Sequence, residues 1–132
     1  MTFKRFEDIQ AWQTARDLVR AVYKASAEEG FRRDFGLRDQ IRRAAVSVMA
    51  NIAEGFFHRS DKEFARFLFT AKASAGEVQS HLYVALDQRY LNEGHFKRLD
   101  VHAQVCSKQL AGLISFLLGA KVKEDGRLLS RN

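Results

Sequence analysis

The chain lacks proline, has a single cysteine and contains no long apolar run. Because proline is the usual helix breaker, its absence from a sequence rich in Ala, Leu, Arg, Lys and Glu favours long helices over a sheet. The lone Cys106 excludes an internal disulfide. No segment reaches the roughly 18 consecutive apolar residues of a membrane span, and charged residues stand where a signal peptide would be apolar. We therefore expect a cytoplasmic helical protein without a membrane partner.

Patterns of catalytic chemistry are also missing. His95 and His102 lie two helical turns apart, whereas a two-histidine metal site on one helix needs a spacing of three or four. The glycines are scattered and cannot form a phosphate-binding loop. Cys106 falls on an apolar seam, where a thiol stays protonated. The sequence thus predicts no enzyme activity, metal or cofactor, although a site assembled across several helices would escape this test.

A length of 132 residues with 46% hydrophobic content corresponds to one domain with a substantial core. The 22 Lys and Arg residues outnumber the 16 acidic residues and give a formal net charge of +6. A basic surface attracts polyanions through phosphate neutralisation and counterion release. The alternative is that a modest positive charge only keeps a small protein in solution.

Interruptions of the helical period predict an all-α, up-down-up-down antiparallel four-helix bundle over residues 1–119, followed by a basic, mobile tail over residues 120–132. Apolar residues outside the main stripes, such as Val46 and Val105, indicate a second buried contact and hence self-association. The small residues around Gly76 suggest that another helix approaches closely there. The first predicted helix covers about Glu7 to Glu28, with a C-cap near Gly30. The second begins after Asp34 as N-cap and ends around Gly55 to His58, and the third covers about Asp61 to Tyr90 after Ser60 as N-cap. The fourth covers about Phe96 to Gly119.

The segment from Phe35 to Gly55, FGLRDQIRRAAVSVMANIAEG, combines three kinds of side chain on one helix. An apolar stripe at spacings of three and four predicts the bundle contact; it comprises Leu37, Ile41, Ala44, Val48 and Ile52. A polar line follows beside it, formed by Arg43, Ser47, Asn51 and Glu54. Glu77, in the third helix, is the expected partner of Arg43, and the resulting structural polar network would fix helix register.

Arginines on the same segment have a second interpretation. Arg38 and Arg42 either contribute to the fold or point outward to bind phosphate, and the outward alternative also applies to Arg43. Basic residues at helix ends and connections are expected to be exposed. The candidate nucleic-acid-binding residues are Lys4, Arg5, Arg32, Arg33, Arg38, Arg42 and Arg59.

Three stretches carry a resemblance to a known family. They are F-x-x-I-x-A-W-x-x-A-x-x-L-x-x-x-x-Y from Phe6 to Tyr23, Q-I-R-R-A-A-V-S-V-x-A-N-I-A-E-G from Gln40 to Gly55, and F-x-x-F-L-x-x-A-x-x-S-x-x-E-V from Phe64 to Val78. Together they resemble the bacterial four-helix bundle family of proteins encoded by intervening sequences in large-subunit ribosomal RNA genes. That family is related to the accessory variability determinant of diversity-generating retroelements. The similarity extends over about Phe6 to Leu118.

The resemblance implies a ring-like homopentamer whose basic surface meets RNA or DNA, without an established catalytic activity. In the retroelement branch it also implies a reverse transcriptase as partner. We therefore hypothesise a non-enzymatic, oligomeric scaffold that binds nucleic acid. The competing hypotheses are a protein-interaction bundle whose basic residues only confer solubility, and a ligand-binding bundle with a pocket near Trp12 and Tyr23.

Overall fold

The computed structural model describes residues 3–119 of the chain. Within this range the chain forms helices and short 3-10 turns and contains no strand. The predicted tail over residues 120–132 lies outside the described residues. The helices are α1 (Gln10–Ser26), α2 (Phe35–Phe56), α3 (Asp61–Asp87) and α4 (Glu93–Leu118), with 3-10 turns at Phe6–Asp8 and Phe31–Arg33.

Side-chain caps define where three of the helices begin. The Asp34 carboxylate accepts a hydrogen bond from the Leu37 N–H at 3.1 Å, and the Ser60 hydroxyl accepts one from the Glu63 N–H at 3.1 Å. Asn92 accepts one from the His95 N–H at 2.7 Å. Each bond satisfies a backbone donor that the first helical turn leaves without a partner. The predicted caps Asp34 and Ser60 are therefore confirmed.

Three predicted helix ends were wrong. Residues Phe6–Asp8 form a 3-10 turn and Ile9 is buried in an extended conformation, so α1 begins at Gln10 rather than Glu7. Gly30 has the expected positive φ of 90°, but it lies in the connection after α1 has already ended at Ser26. The third helix, α3, ends at Asp87 rather than at the predicted Tyr90, because Arg89 adopts a φ of 62° and turns the chain.

The helices pack in sequence order around a common core, and α4 closes the arrangement against α1. The first half of α1, the second half of α2 and the second half of α4 share one buried cluster, which includes Ala15, Ile52 and Ile114. The opposite halves share the other cluster, which includes Leu18 and Leu37. Neighbouring helices therefore run antiparallel. The predicted up-down-up-down four-helix bundle is confirmed.

Burial along the helices matches the predicted stripes with local exceptions. All five stripe residues of α2, from Leu37 to Ile52, are buried. In α4, however, Ile114 is fully buried and Leu113 only partly, the reverse of the predicted order. Within residues 3–119, no helix combines the length and apolar character that crossing a membrane would need.

The small-residue segment of α3 does meet α2, with the Ser47 and Ser74 hydroxyl groups 2.9 Å apart, but Gly76 takes no part in this contact. Gly76 is exposed, and a Cβ added there would meet no atom within 4 Å. At Gly55, by contrast, an added Cβ would lie 2.8 Å from the Phe67 Cβ and 2.9 Å from the Phe64 ring. The prediction for Gly76 was wrong because its side of α3 faces outward, whereas the end of α2 crosses directly over the start of α3.

Candidate nucleic-acid interface

The basic residues predicted from the sequence lie at two opposite ends of the bundle. Lys4, Arg5 and Arg59 belong to the end where the rings of Phe6 and Phe57 pack at 6.0 Å. The others surround the connection between α1 and α2; they are Arg32, Arg33, Arg38 and Arg42. α2 has 22 residues and is about 33 Å long, and Arg42, the candidate farthest along it, still lies about 21 Å from its end at Phe56. One small patch therefore cannot contain all seven candidates.

Ion pairs already engage several of these cations. Arg32 and Arg33 both contact the carboxylate of Glu29, the former at 2.7 Å. Arg5 contacts Glu7 at 2.6 Å, and a hydrogen bond to the Glu7 backbone, followed by the bond from Arg5, lowers the pKa of the Glu7 carboxyl. Glu7 is half-buried and the other groups are largely exposed, so the pairs add little stability and remain open to exchange with a phosphate.

Lys4 and Arg59 are exposed, and neither forms an ion pair with any residue of the described range. They therefore carry uncompensated positive charge at the first end. Asp61 and Glu63 begin the adjacent helix and add negative charge near them.

Arg42 is anchored between α1 and α2. Its Nε donates a hydrogen bond to the Ser26 hydroxyl at 2.8 Å, and its guanidinium lies 4.5 Å from the centre of the Tyr23 ring. Ser26 is fully buried, so this bond satisfies a polar group that would otherwise lack a strong partner. The guanidinium contributes both to the α1–α2 contact and to the charge of the surface above it.

Arg38 is held one helical turn earlier on α2. It donates to the Asp39 carboxylate at 3.1 Å and to the backbone carbonyl of Arg32 at 3.2 Å. Its guanidinium lies 4.9 Å from the centre of the Phe35 ring. Arg38 and Arg42 thus each stack on an exposed aromatic ring while other groups hold them in place.

Further cations flank these two arginines on the outer side of α1 and α2. Arg16, Arg20 and Lys24 follow each other at intervals of four residues on exposed positions of α1. Arg43 is exposed on α2, and within the structurally described range neither it nor Lys24 has an ion-pair partner. We call this surface the α1–α2 face and define it by Arg16, Arg20, Tyr23, Lys24, Phe35, Arg38, Arg42 and Arg43.

Acidic side chains are few on the α1–α2 face. Asp17 lies 3.6 Å from Arg20, and Asp39 pairs with Arg38. The cations of the face outnumber these two carboxylates, so the face has a positive potential. The sequence did contain the signal for the α1 part of this surface, since the four-residue spacing of Arg16, Arg20 and Lys24 places them on one line of the helix.

The predicted polar network is only partly present. The hydroxyl groups of Ser47 and Ser74 lie 2.9 Å apart, and the Asn51 amide donates to the Ser47 hydroxyl at 3.0 Å and to the Ser47 carbonyl at 2.9 Å. The predicted contact of Arg43 with Glu77 was wrong. Arg43 is exposed, and Glu77 pairs with His81 at 3.2 Å.

Glu54 also stays outside the network. It is exposed, and within residues 3–119 its side chain has no hydrogen-bond partner, while its backbone carbonyl accepts a hydrogen bond from the Phe57 N–H. Burying a guanidinium and a carboxylate requires stripping both of water, whereas two hydroxyl groups and an amide satisfy one another at a lower desolvation cost. The α2–α3 contact therefore uses neutral side chains and leaves the charges in solvent.

Within residues 3–119, the side chains that could bind a metal ion or act as a nucleophile do not come together in a site. Among residues 3–119, no three His, Cys, Asp or Glu side chains are grouped so that they could hold a metal ion. Cys106 is buried in α4 and points its thiol at the Ala11 carbonyl, with sulfur and oxygen 3.8 Å apart. Burial raises the pKa of this thiol to about 12.

Comparison with known proteins agrees with the motif resemblance. The model of the 23S rRNA-intervening sequence protein family matches residues 7–112, which is most of the chain. The chain belongs to this family. No curated protein matches the chain significantly.

A solved structure resembles this intervening-sequence family member in fold. It is the crystal structure of a protein with unknown function from the S23 ribosomal protein family of Bacteroides thetaiotaomicron VPI-5482. The TM-score is 0.72 at 21% sequence identity, and the match covers 79% of this chain and 97% of that one. At this identity the likeness shows a shared four-helix fold.

Proposed function

We propose that this intervening-sequence family member is a non-enzymatic, oligomeric scaffold that binds nucleic acid through the α1–α2 face. The observation that carries the proposal is the line of exposed cations on α1 and α2 with few acidic side chains among them. Phosphate contacts from such residues supply most of the non-specific affinity for nucleic acid. Within residues 3–119, Lys24 and Arg43 have no ion pair to break, and we expect them to contribute most.

RNA is the first ligand to examine. The family description links its members to intervening sequences of 23S rRNA, and the structural relative comes from a family named for a ribosomal protein. Both names favour RNA over DNA as the natural partner. A cytoplasmic location belongs to the same proposal, because ribosomal RNA is found there. A reverse-transcriptase partner rests on the retroelement resemblance alone and is the narrower form of this proposal.

Self-association is proposed on the opposite side of the bundle. Val101 and Val105 are 44% and 41% exposed on the outer surface of α4. Gly112 lies on the same helix, and a Cβ added there would meet no atom within 4 Å. A second copy that covers this face would remove the valines from water. The resemblance suggests a homopentamer.

A charge-reversal experiment tests nucleic-acid binding. The double variant Lys24→Glu, Arg43→Glu is compared with the matched control Lys97→Glu, Lys108→Glu, which makes the same change in net charge on α4. Fluorescence anisotropy with labelled RNA should show binding that weakens as salt rises, and about tenfold or greater loss for the first variant only. The proposal fails if wild-type protein does not bind at about 50 mM salt or if both variants lose affinity equally.

A second pair of variants distinguishes the two ends of the bundle. Arg32→Glu with Arg33→Glu alters the α1–α2 connection, whereas Lys4→Glu with Arg59→Glu alters the opposite end. The first pair should weaken RNA binding more, because Arg32 and Arg33 adjoin the α1–α2 face. A larger loss of RNA affinity in Lys4→Glu with Arg59→Glu would show that the interface lies at the end of the bundle that contains Phe57.

The competing function is a protein-interaction bundle without nucleic-acid binding, and the exposed valines of α4 favour it as the second candidate. Mass photometry on Val105→Glu and on the control Gln10→Glu tests the assembly. We expect an oligomer that Val105→Glu dissociates and Gln10→Glu preserves. An intact assembly in a protein that binds no RNA would favour the competing function, and a wild-type monomer at micromolar concentration would reject the oligomer.

A further inference from the structure

Two aromatic rings on the α1–α2 face are exposed. Phe35 is 65% exposed at the first position of α2, and Tyr23 is 43% exposed on α1. Each ring has an arginine guanidinium close to it, at 4.9 Å for Phe35 and 4.5 Å for Tyr23. In the described part of the chain, neither ring packs against another aromatic ring. Both therefore keep an apolar surface open to a ligand.

The arginines beside these rings are held in place by the protein. Ser26 accepts the hydrogen bond from Arg42, and the Arg32 carbonyl accepts one from Arg38. A ligand that contacts either guanidinium or its ring therefore finds the group already positioned. Less conformational freedom is lost on binding than with a free surface side chain.

The distance between the two pairs suits an extended ligand. Arg38 follows Phe35 by one helical turn, and Arg42, which contacts Tyr23, follows Arg38 by another. Two turns of α2 correspond to about 11 Å along the helix axis. The exposed cations Lys24 and Arg43 adjoin the Tyr23 pair in sequence. A ligand with flat apolar groups spaced along a negatively charged backbone matches this arrangement.

On the basis of the proposed function, we infer that the α1–α2 face binds single-stranded nucleic acid by stacking unpaired bases on Phe35 and Tyr23. Lys24 and Arg43 contact the phosphates, while Arg38 and Arg42 position the rings. Stacking on aromatic side chains requires an accessible base face, which single strands offer and duplexes hide between stacked pairs. A protein partner fits less well, because the rings are separated by cations and form no continuous apolar patch.

The first experiment compares a labelled 12-nucleotide RNA strand with a blunt duplex of the same strand. Wild-type protein should bind the single strand about tenfold more tightly. The double variant Phe35→Leu, Tyr23→Leu keeps apolar bulk but removes both rings. It should weaken single-strand binding by about tenfold and change duplex binding by less than about twofold.

Matched controls remove exposed rings elsewhere. Tyr83→Leu on α3 and Phe116→Leu on α4 alter side chains that are 56% and 62% exposed, and both should leave single-strand binding unchanged. A strand containing 2-aminopurine gives a readout in wild-type protein that needs no variant to fold. Its fluorescence should be quenched at saturation if a base stacks on a ring.

The outcomes separate this inference from the proposed function. Failure to bind either probe rejects both. Equal affinity for single strand and duplex, an equal loss in the control variants, or unchanged 2-aminopurine fluorescence in the bound state overturns base stacking. In those cases salt-dependent binding that Lys24→Glu, Arg43→Glu abolishes still supports a phosphate-binding scaffold.

Discussion

Ser47 and Ser74 place their hydroxyl groups 2.9 Å apart where α2 packs against α3. Asn51 donates to the same Ser47 hydroxyl at 3.0 Å, so three neutral side chains link the two helices. A shift of either helix by one turn would separate Ser47 from Ser74. The trio therefore contributes to helix register, the role that the sequence had assigned to Arg43 and Glu77.

Removing Ser74 tests this role. Ser74→Ala leaves the Ser47 hydroxyl without its partner across the helix contact and should lower the free energy of unfolding by about 1 kcal/mol. The control Ser80→Ala changes an exposed residue of the same helix. Arg43→Ala and Glu77→Ala should both stay within about 0.5 kcal/mol of wild type in urea unfolding. If Arg43→Ala strongly lowers the free energy of unfolding and Ser74→Ala does not, the charged contact between Arg43 and Glu77 fixes the register instead.

Gly55 is expected to be the most sensitive glycine of the bundle. In Gly55→Ala the new methyl group would overlap the Phe67 Cβ and the Phe64 ring, so α2 and α3 must move apart, at a cost of about 1–3 kcal/mol. Gly76→Ala is the matched control, because its methyl group enters open space. Alanine has the higher helix propensity and should stabilise α3 by about 1 kcal/mol. Thermal unfolding of both variants measures the difference, and equal effects would contradict the packing described for Gly55.

Arg89 occupies a backbone conformation that favours glycine. After α3 ends, the Tyr90 N–H bonds to the Ala85 carbonyl and the Arg89 N–H to the Leu86 carbonyl, while Arg89 has a φ of 62°. This is a Schellman C-cap, in which a non-glycine residue costs about 1–2 kcal/mol. Arg89→Gly should therefore raise the free energy of unfolding by about 1 kcal/mol. Arg98→Gly, within α4, is the control and should lower the free energy of unfolding. If Arg89→Gly lowers it by a similar amount, the backbone of Arg89 is not strained.

Cys106 is expected to resist thiol reagents in the folded protein. Burial raises the pKa of its thiol from 9.0 to about 12, so almost no thiolate exists at pH 8. Labelling with a chromogenic disulfide should require unfolding, and addition of urea should accelerate it strongly. Rapid labelling of the native protein would show that the thiol is accessible.

The same shift predicts an alkaline loss of stability. Above pH 9 the unfolded chain releases the Cys106 proton while the folded chain retains it, so the free energy of unfolding falls as the pH rises toward 12. Cys106→Ala should be less stable at neutral pH because it leaves a small cavity. Its unfolding free energy should nevertheless decline less steeply between pH 9 and 11. If the unfolding free energies of wild type and Cys106→Ala decline equally with pH, the pKa of Cys106 is not raised by folding.

The helices could be predicted because their signals are local. The apolar stripe from Leu37 to Ile52 and the caps Asp34 and Ser60 depend on residues a few positions apart. The end of α3 could not be located in this way. Tyr90 leaves the helix to stack on Phe31 at 5.4 Å and to donate to Asp34 at 3.0 Å, contacts with residues more than 50 positions earlier in the chain. The bond to Asp34 also raises the pKa of Tyr90.

The candidate interface was less predictable than the fold. Arg42 and Arg43 are adjacent in sequence, but one is bound to Ser26 and the other is exposed to solvent. Sequence spacing could not decide which arginine packs, because a rotation of 100° per residue points the two side chains in different directions from the α2 axis, and only the packing of the whole bundle sets which direction meets α1. Phe35 likewise fits either a core or a surface position in the pattern.

By itself, the sequence determined that this protein forms helices, how many there are, most of the positions that are buried and to which family the chain belongs. These properties follow from helix propensity, periodicity and motif order along the chain. Only the tertiary structure decided which polar residues meet across helices and which cations remain free. Such contacts depend on the rotation and axial offset of whole helices, which are set by packing of the entire core rather than by any one segment.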